Sequence, residues 1–240
     1  MNCRVLMRIV AVAVVAMGLQ IGASGAGQKE AFIQAQQANK AALREYTWKR
    51  RTEFKLKGES KKVTLEQIRY DIDGALQKTP IGGAPDQPQP QQPSGGSRRG
   101  GRLKQRVVEN KKEEFAENMK SLAQLVASYA QLPQDKLAAF AQSATIGKGE
   151  GAQAGTVRIQ GSNVLVDGDS LSIWIDPASN MMRRVEIETL HEKKPVKVVS
   201  EYVTLDRGPT YQARALLTVP EKQVELTVEN FEYQHVGASR

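Results

Sequence analysis

The sequence predicts an α+β fold in which helices lie on one side of an antiparallel sheet. Two stretches place apolar residues at the helical spacing of three and four, whereas many others alternate apolar and charged residues with a period of two. Turn signals rich in Gly, Pro and Asp separate the alternating stretches. Because helices and strands are segregated along the chain, the strands are expected to pair antiparallel, with the helices on one face.

The first helix is predicted over residues 29–46, KEAFIQAQQANKAALREY, where alanines recur at helical spacing and no Gly or Pro intervenes. A strand follows directly in YTWKRRTEFKLKG, at residues 46–58. Charged side chains fill one phase of its alternation, and the other phase is apolar or Thr with Arg50 as the exception. One face of this strand is therefore predicted to be buried and the other solvated.

The next stretch, KKVTLEQIRYDIDG at residues 61–74, changes phase near Glu66 and Gln67, which predicts a β-bulge there. Asp73-Gly74 is a strong hairpin signal, and the following ALQKTPI is expected to return as the partner strand. These residues complete a small group of strands near the start of the chain.

Residues 82–102, GGAPDQPQPQQPSGGSRRGGR, contain no large apolar side chain. Such a segment cannot offset by burial the entropy lost on ordering, so a disordered Pro/Gly/Gln linker is predicted. It interrupts a single α+β domain over residues 27–240 and leads into a helical insertion over residues 103–146. The linker would then join a strand of the sheet to helices that return to cover that sheet.

The long inserted helix carries one apolar stripe, whose members recur at steps of four, three, four and three residues. A second, shorter helix is predicted from Asp135. Two interpretations of the stripe stay open: it is permanent core, or it is a lid over a ligand cavity. Its members are Phe115, Met119, Leu122, Val126 and Tyr129.

The remaining third of the chain is predicted to form an antiparallel meander, because short alternating stretches are separated by regularly spaced turn signals. These signals are Gly161, Asp167-Gly168, Asp176-Pro177, Arg207-Gly208-Pro209 and Pro220-Glu221.

Residues 1–26 have the three-part pattern of a signal peptide: Arg4 and Arg8, an apolar run at residues 9–17, and small residues up to Ala26. We expect export to the periplasm or cell envelope with cleavage near Ala26. A retained anchor is the alternative, although the run is shorter than the roughly 20 apolar residues that span a bilayer. The one cysteine, Cys3, lies in this segment, so the mature protein is predicted to have no disulfide.

Four stretches carry a family resemblance: LREYTWKRRTEFKLKG after the first helix, IRYDIDGAL in the next hairpin, LSIWIDPASNMMRRVEIET with its W-x-D turn, and VELTVENFEY near the C-terminus. In these and in its layout the chain resembles the periplasmic lipoprotein-carrier and outer-membrane lipoprotein-sorting (LolA/LolB-like) superfamily. The resemblance implies a strongly curved, half-barrel-like sheet whose concave side is plugged by helices and whose hollow accepts acyl chains. The linker and the long helix after it depart from the family's layout.

Catalysis has little support in the sequence. His191 and His235 are the two histidines; neither has a nucleophile signature beside it, and no Walker or dinucleotide motif is present. The aspartates of VDGDSLSIWID and DIDG lack the full calcium-loop pattern and are interpreted as turn residues. We therefore expect no enzyme activity, no cofactor and no metal site. Nucleic acid is not an expected partner, because an aromatic and basic stacking surface is absent.

A basic cluster marks the end of the linker. One interpretation is a solvated tail, and the other is contact with an anionic membrane surface or an acidic protein partner. Its members are Arg98, Arg99, Arg102, Lys104 and Arg106.

The sequence thus predicts a non-enzymatic carrier or binder of an apolar ligand, either a lipid or the acyl chains of a lipoprotein, in the bacterial cell envelope. The alternative is an envelope scaffold protein with a filled core and a basic mobile linker. The residues expected to line or flank the hollow are Trp48, Phe54, Leu56, Ile173, Ile175, Val185, Ile187, Leu226 and Val228.

Overall fold

A computed structural model of the chain describes residues 25–82, 101–130 and 132–237. The described helices are α1 (Gly25–Leu43), α2 (Gly101–Ala130) and α3 (Gln134–Ser143). The described strands are β1 (Tyr46–Leu56), β2 (Glu59–Tyr70), β3 (Leu76–Pro80), β4 (Thr145–Lys148), β5 (Val157–Ser162), β6 (Ser170–Asp176), β7 (Met181–His191), β8 (Lys194–Thr204), β9 (Thr210–Val219) and β10 (Val224–His235).

All ten strands belong to one antiparallel sheet with the order β3-β2-β1-β10-β9-β8-β7-β6-β5-β4. Strands β4 to β10 form a meander, and the hairpins of β1 to β3 join it through the pairing of β1 with β10. The sheet does not close on itself, so β3 and β4 are its edges. The predicted antiparallel sheet with accompanying helices is confirmed.

One face of the sheet carries ladders of opposite charges across neighbouring strands. Lys55 of β1 lies 2.9 Å from Glu225 of β10, and Arg51 contacts both Glu53 and Glu229. Each such exposed pair contributes little to stability, about 0–1 kcal/mol. Their common orientation matters more, because a slip of one residue would turn these charges toward the core.

The other face is apolar and forms the hydrophobic core together with residues from all three helices. Phe32 of α1, Val126 of α2 and Phe140 of α3 belong to the same buried cluster as the strand residues. The strand members include Ile159, Leu171, Ile173, Val185, Ile187, Val196, Val198, Leu217, Val224, Leu226 and Val228.

Three predicted boundaries differ from the structure. Helix α1 ends at Leu43, because β1 already begins at Tyr46, and α2 begins at Gly101, inside the predicted linker. The predicted helical insertion contains the edge strand β4 from Thr145 onward. Residues 83–100 of the linker and residues 1–24 of the signal segment lie outside the described residues.

The predicted bulge near Glu66 and Gln67 is wrong. The register of β2 against β1 is continuous there, and the irregularity falls between the pairs of Phe54 and Lys55. Glu66 lies on the same buried face as Ile68 and opposite Arg50, the exception in the alternation of β1. The apparent change of phase in the sequence is therefore a polar pair across two strands and not a bulge.

Gly161 was predicted to be a turn residue, but it lies inside β5. A Cβ atom at this position would lie 2.7 Å from the Phe140 ring of α3. Glycine is therefore required so that α3 can pack closely on the strand, and the turn falls after Ser162.

We expect Gly161→Ala to lower the free energy of unfolding by about 1–3 kcal/mol, because the buried Phe140 ring must move. Gly147→Ala in β4 is the matched control, since nothing lies within 4 Å of a Cβ there. Thermal or urea unfolding of both variants checks the prediction. Equal stabilities of the two variants would contradict the packing assigned to Phe140.

Candidate functional site

The apolar stripe of α2 lies against the apolar face of the sheet. Met119, Leu122, Val126 and Tyr129 are at most 3% exposed, which confirms that the stripe is buried. Phe115, one turn before Met119, is half-buried, and its ring centroid lies 6.0 Å from that of Phe54 in β1. The stripe therefore spans the sheet from β1 toward the β5–β6 turn.

A small cavity lies where α2 meets β1, β9 and β10. Its volume is about 10 Å³, about one water-sized probe. The lining residues are all apolar: Phe54, Met119, Leu122, Ala123, Leu217, Val224 and Leu226. This void brings together two residues predicted for the hollow, Phe54 and Leu226, and two predicted for the lid, Met119 and Leu122.

The other residues predicted for the hollow lie in or against the same core. Ile173, Val185, Ile187, Leu226 and Val228 are buried in the hydrophobic cluster, while Phe54, Leu56 and Ile175 are partly buried against it. Trp48 is also buried, with 4% of its surface exposed, but it lies outside this cluster. It belongs to a polar and aromatic region near the start of β1. Ligand binding by these residues stays a prediction.

Helix α2 is anchored near its C-terminal end by a buried carboxylate. The Tyr129 hydroxyl donates to Asp169 Oδ2 at 2.5 Å and lies 2.8 Å from Thr189 Oγ1 of β7. Burial is the main cause that raises the pKa of Tyr129, so this hydroxyl stays protonated and continues to donate. We call the contact of Tyr129 with Asp169 and Thr189 the tyrosine anchor.

Asp169 is also held by backbone groups of its own turn. Its carboxylate accepts backbone N–H bonds from Val164 (2.6 Å), Leu165 (2.8 Å) and Val166 (2.9 Å), and the residue is 1% exposed. The turn between β5 and β6 therefore wraps around one carboxylate.

In the sequence, Asp169 resembles any turn aspartate in a weak calcium pattern, and no local signal indicates its anchoring role. Within the described residues, no group of three or more His, Cys, Asp or Glu side chains is placed to hold a metal ion.

A second polar contact holds the middle of α2 near the β7–β8 turn. His191 Nε2 lies 3.0 Å from Ser121 Oγ of α2. Next to it, Asn118 contacts Glu192 and Lys222, and Lys222 Nζ lies 2.9 Å from Glu192 Oε2. The histidine that the sequence placed at a hairpin end thus contacts the predicted lid.

The basic cluster is only partly described. Arg102, Lys104 and Arg106 lie in the first two turns of α2, but their side chains are outside the described part of the chain, as are Arg98 and Arg99 altogether. Contact of these residues with an anionic surface stays a prediction. Among the described helices, none is long and apolar enough to cross a membrane.

Comparisons with known proteins return little for this chain. No protein-family model matches it, and no curated protein does. Among solved structures, the chain is similar to a LolA superfamily protein from Nitrosomonas europaea, with 10% sequence identity and a TM-score of 0.32, over 82% of this chain and 92% of that chain. A likeness of this degree lends no weight to any function.

His191 makes the seat of α2 sensitive to pH. Burial, and secondarily Lys222, lowers the pKa of His191 below its ordinary value of 6.5, while Glu192 opposes this shift. The unfolded chain therefore takes up a proton at a higher pH than the folded protein. The contribution of His191 to the free energy of unfolding is fully present above about pH 6.5, and it is lost as the pH falls below that value.

We expect the melting temperature of the parent to fall between about pH 7.5 and pH 5.5 more than that of His191→Gln, which cannot titrate. His235 is present in both proteins, so its contribution cancels in the comparison. Parallel pH profiles of the two proteins would contradict the role given to His191.

Proposed function

We propose that this protein is an exported, non-enzymatic carrier of an apolar ligand, with α2 as a lid over the apolar face of the sheet. In this proposal the chain forms a single domain over residues 27–240, whose sheet curves strongly around a hollow that helices cover on one side. A lipid or the acyl chains of a lipoprotein would occupy that hollow.

The observation that carries the proposal is the void between α2 and the sheet. It is lined only by apolar side chains, and it lies where the predicted lid meets the predicted hollow. Displacement of α2 would enlarge it along an apolar surface that already includes Leu217, Val224 and Leu226. The apolar lining of the enlarged cavity would then suit acyl chains.

The polar contacts of α2 support a helix that can be released. Its described hydrogen bonds to the sheet side come from individual side chains, Asn118, Ser121 and Tyr129, and not from backbone pairing. Breaking a few such bonds leaves the ten-stranded sheet intact. A lid that moves as a unit requires this separation between a stable sheet and a covering helix.

A filled core favours a second candidate, an envelope scaffold protein. Leu122 and Val126 are 3% and 0% exposed, and the void has room for about one water. In a scaffold, these side chains would never leave the sheet. The basic linker and the charged face would then supply contacts to partners.

Uptake of a fluorescent fatty acid distinguishes the two candidates. If α2 is a lid, the parent binds the probe, and Tyr129→Phe speeds uptake because the tyrosine anchor is lost. Ser128→Ala is the control, since Ser128 is exposed and bonds only to Gln124 of its own helix among described residues. Stopped-flow fluorescence gives the rates.

The scaffold predicts a different set of results. The parent would not bind the probe, and Leu122→Ala would cost about 2–5 kcal/mol of stability, as a cavity in a permanent core does. That combination would overturn the carrier.

Export is supported by the basic, apolar and small-residue segments of residues 1–26. We expect the protein recovered from the cell envelope to begin near Gly27. N-terminal sequencing checks this, and recovery of a chain that begins at Met1 would contradict cleavage.

A further inference from the structure

The apolar inner face of β1 changes character toward the start of the strand, where a buried arginine is held by one amide. Arg50 is 8% exposed, and its Nε donates to Asn230 Oδ1 of β10 at 2.8 Å. Trp48 Nε1 donates to the same oxygen at 3.1 Å, and Asn230 Nδ2 donates to the Gln212 carbonyl. The guanidinium is thereby oriented through Nε, while its two terminal nitrogens have no hydrogen-bond partner among the described residues.

A buried glutamate lies opposite this arginine without bonding to it. Glu66 of β2 is the cross-strand partner of Arg50 and is 6% exposed. Its Oε2 is buried without a hydrogen-bond partner, and within the described ranges the pair forms no salt bridge at 4.0 Å or less. A buried acceptor, Glu66 Oε2, thus lies unsatisfied on the strand next to a guanidinium whose terminal nitrogens have no protein partner among the described residues. Leaving that carboxylate oxygen unpaired costs free energy unless a third group bonds to it.

Aromatic rings surround this pair. The Trp48 ring stacks on Tyr233 at 5.2 Å and lies 5.6 Å from Tyr70. Burial raises the pKa of both tyrosines, which therefore stay neutral. Burial also lowers the pKa of Arg50. The region combines flat apolar surfaces with unsatisfied polar groups.

The polar pair lies on the same face as the void. Residues 50, 52, 54 and 56 alternate regularly on β1, so Arg50 and Phe54 share a face and are about 13 Å apart along the strand. Val228 and Leu226 of β10 lie opposite Thr52 and Phe54 and continue the apolar surface between the two regions. The inner face is thus apolar at one end and polar at the other, as an amphiphile is.

We propose that Arg50 and Glu66 bind the hydroxyl head group of a neutral amphiphile of the monoacylglycerol type, whose acyl chain lies toward Phe54 and α2. This inference rests on the proposed carrier function and names the class of its ligand. A hydroxyl accepts a hydrogen bond from the guanidinium and donates one to the carboxylate, so it satisfies both groups at once. A carboxylate head would satisfy Arg50 but would be repelled by Glu66, and an ester without a hydroxyl would leave Glu66 unsatisfied.

The test measures displacement of a neutral probe, a fluorescent fatty-acid methyl ester, from the full mature chain by three competitors with the same acyl chain. Monopalmitoylglycerol carries the hydroxyls, methyl palmitate only accepts, and palmitate is anionic. We expect monopalmitoylglycerol to bind about tenfold more tightly than methyl palmitate, the effect of one hydrogen bond to a charged group. Palmitate should bind more weakly than monopalmitoylglycerol.

Arg50→Met keeps the apolar stem and removes the guanidinium, and the preference should shrink to within about twofold. The matched control is Arg51→Met, because Arg51 lies on the charged face with Glu53 and Glu229 and should not affect the preference. The selectivity of the parent is itself a test and needs no variant, so the proposal stays falsifiable if Arg50→Met fails to fold.

Each outcome decides one assignment. Equal binding of all three competitors by the parent overturns the head-group site but leaves the carrier standing. Tighter binding of palmitate overturns the neutral class, and a preference that survives Arg50→Met overturns the role of Arg50. If the probe does not bind the parent at all, the carrier function itself fails, and this inference fails with it.

Discussion

Burying the carboxylate of Asp169 requires hydrogen bonds in place of the water it loses, and three of these come from the backbone of its own turn. The fourth comes from Tyr129 of α2. The carboxylate therefore connects the β5–β6 turn to the helix that covers the apolar face, and the geometry of one depends on that of the other. The position of the C-terminal end of α2 on the sheet therefore depends on how this carboxylate is satisfied.

The two faces of the sheet have different roles. Charge ladders such as Lys55 with Glu225 keep one face in water and define the register, while each contributes little stability. The other face carries the apolar area that stabilises the fold, and it is also the surface on which a ligand would compete with α2. If α2 is a lid, as proposed, the same burial favours the closed position and opposes uptake, and the few polar contacts of the helix would then shift the balance between the two.

Local patterns in the sequence predicted the elements well, because alternation and helical spacing depend on near neighbours in the chain. The strand β1, the stripe on α2 and the hairpin at Asp73-Gly74 needed no knowledge of partners. The polar groups of the site could not be predicted in this way. Asp169 looks like any turn aspartate until Tyr129, 40 residues away, is placed beside it. Arg50 and Glu66 appeared as an exception and as a change of phase, because their pairing across two strands is invisible in either strand alone.

The pairing of β1 with β10 also affects how fast the sheet can fold. Trp48 and Asn230, which meet across this pair, are 182 residues apart in the chain. Contacts of such long sequence separation slow folding, since a large loop must close before they form. If the chain is exported from its N-terminus, as proposed, the edge of β1 that pairs with β10 stays open until the last strand has emerged, although β2 can already pair with the other edge. The charged residues along β1 would then protect that open edge from association with other chains, which would be a second use of the same alternating pattern.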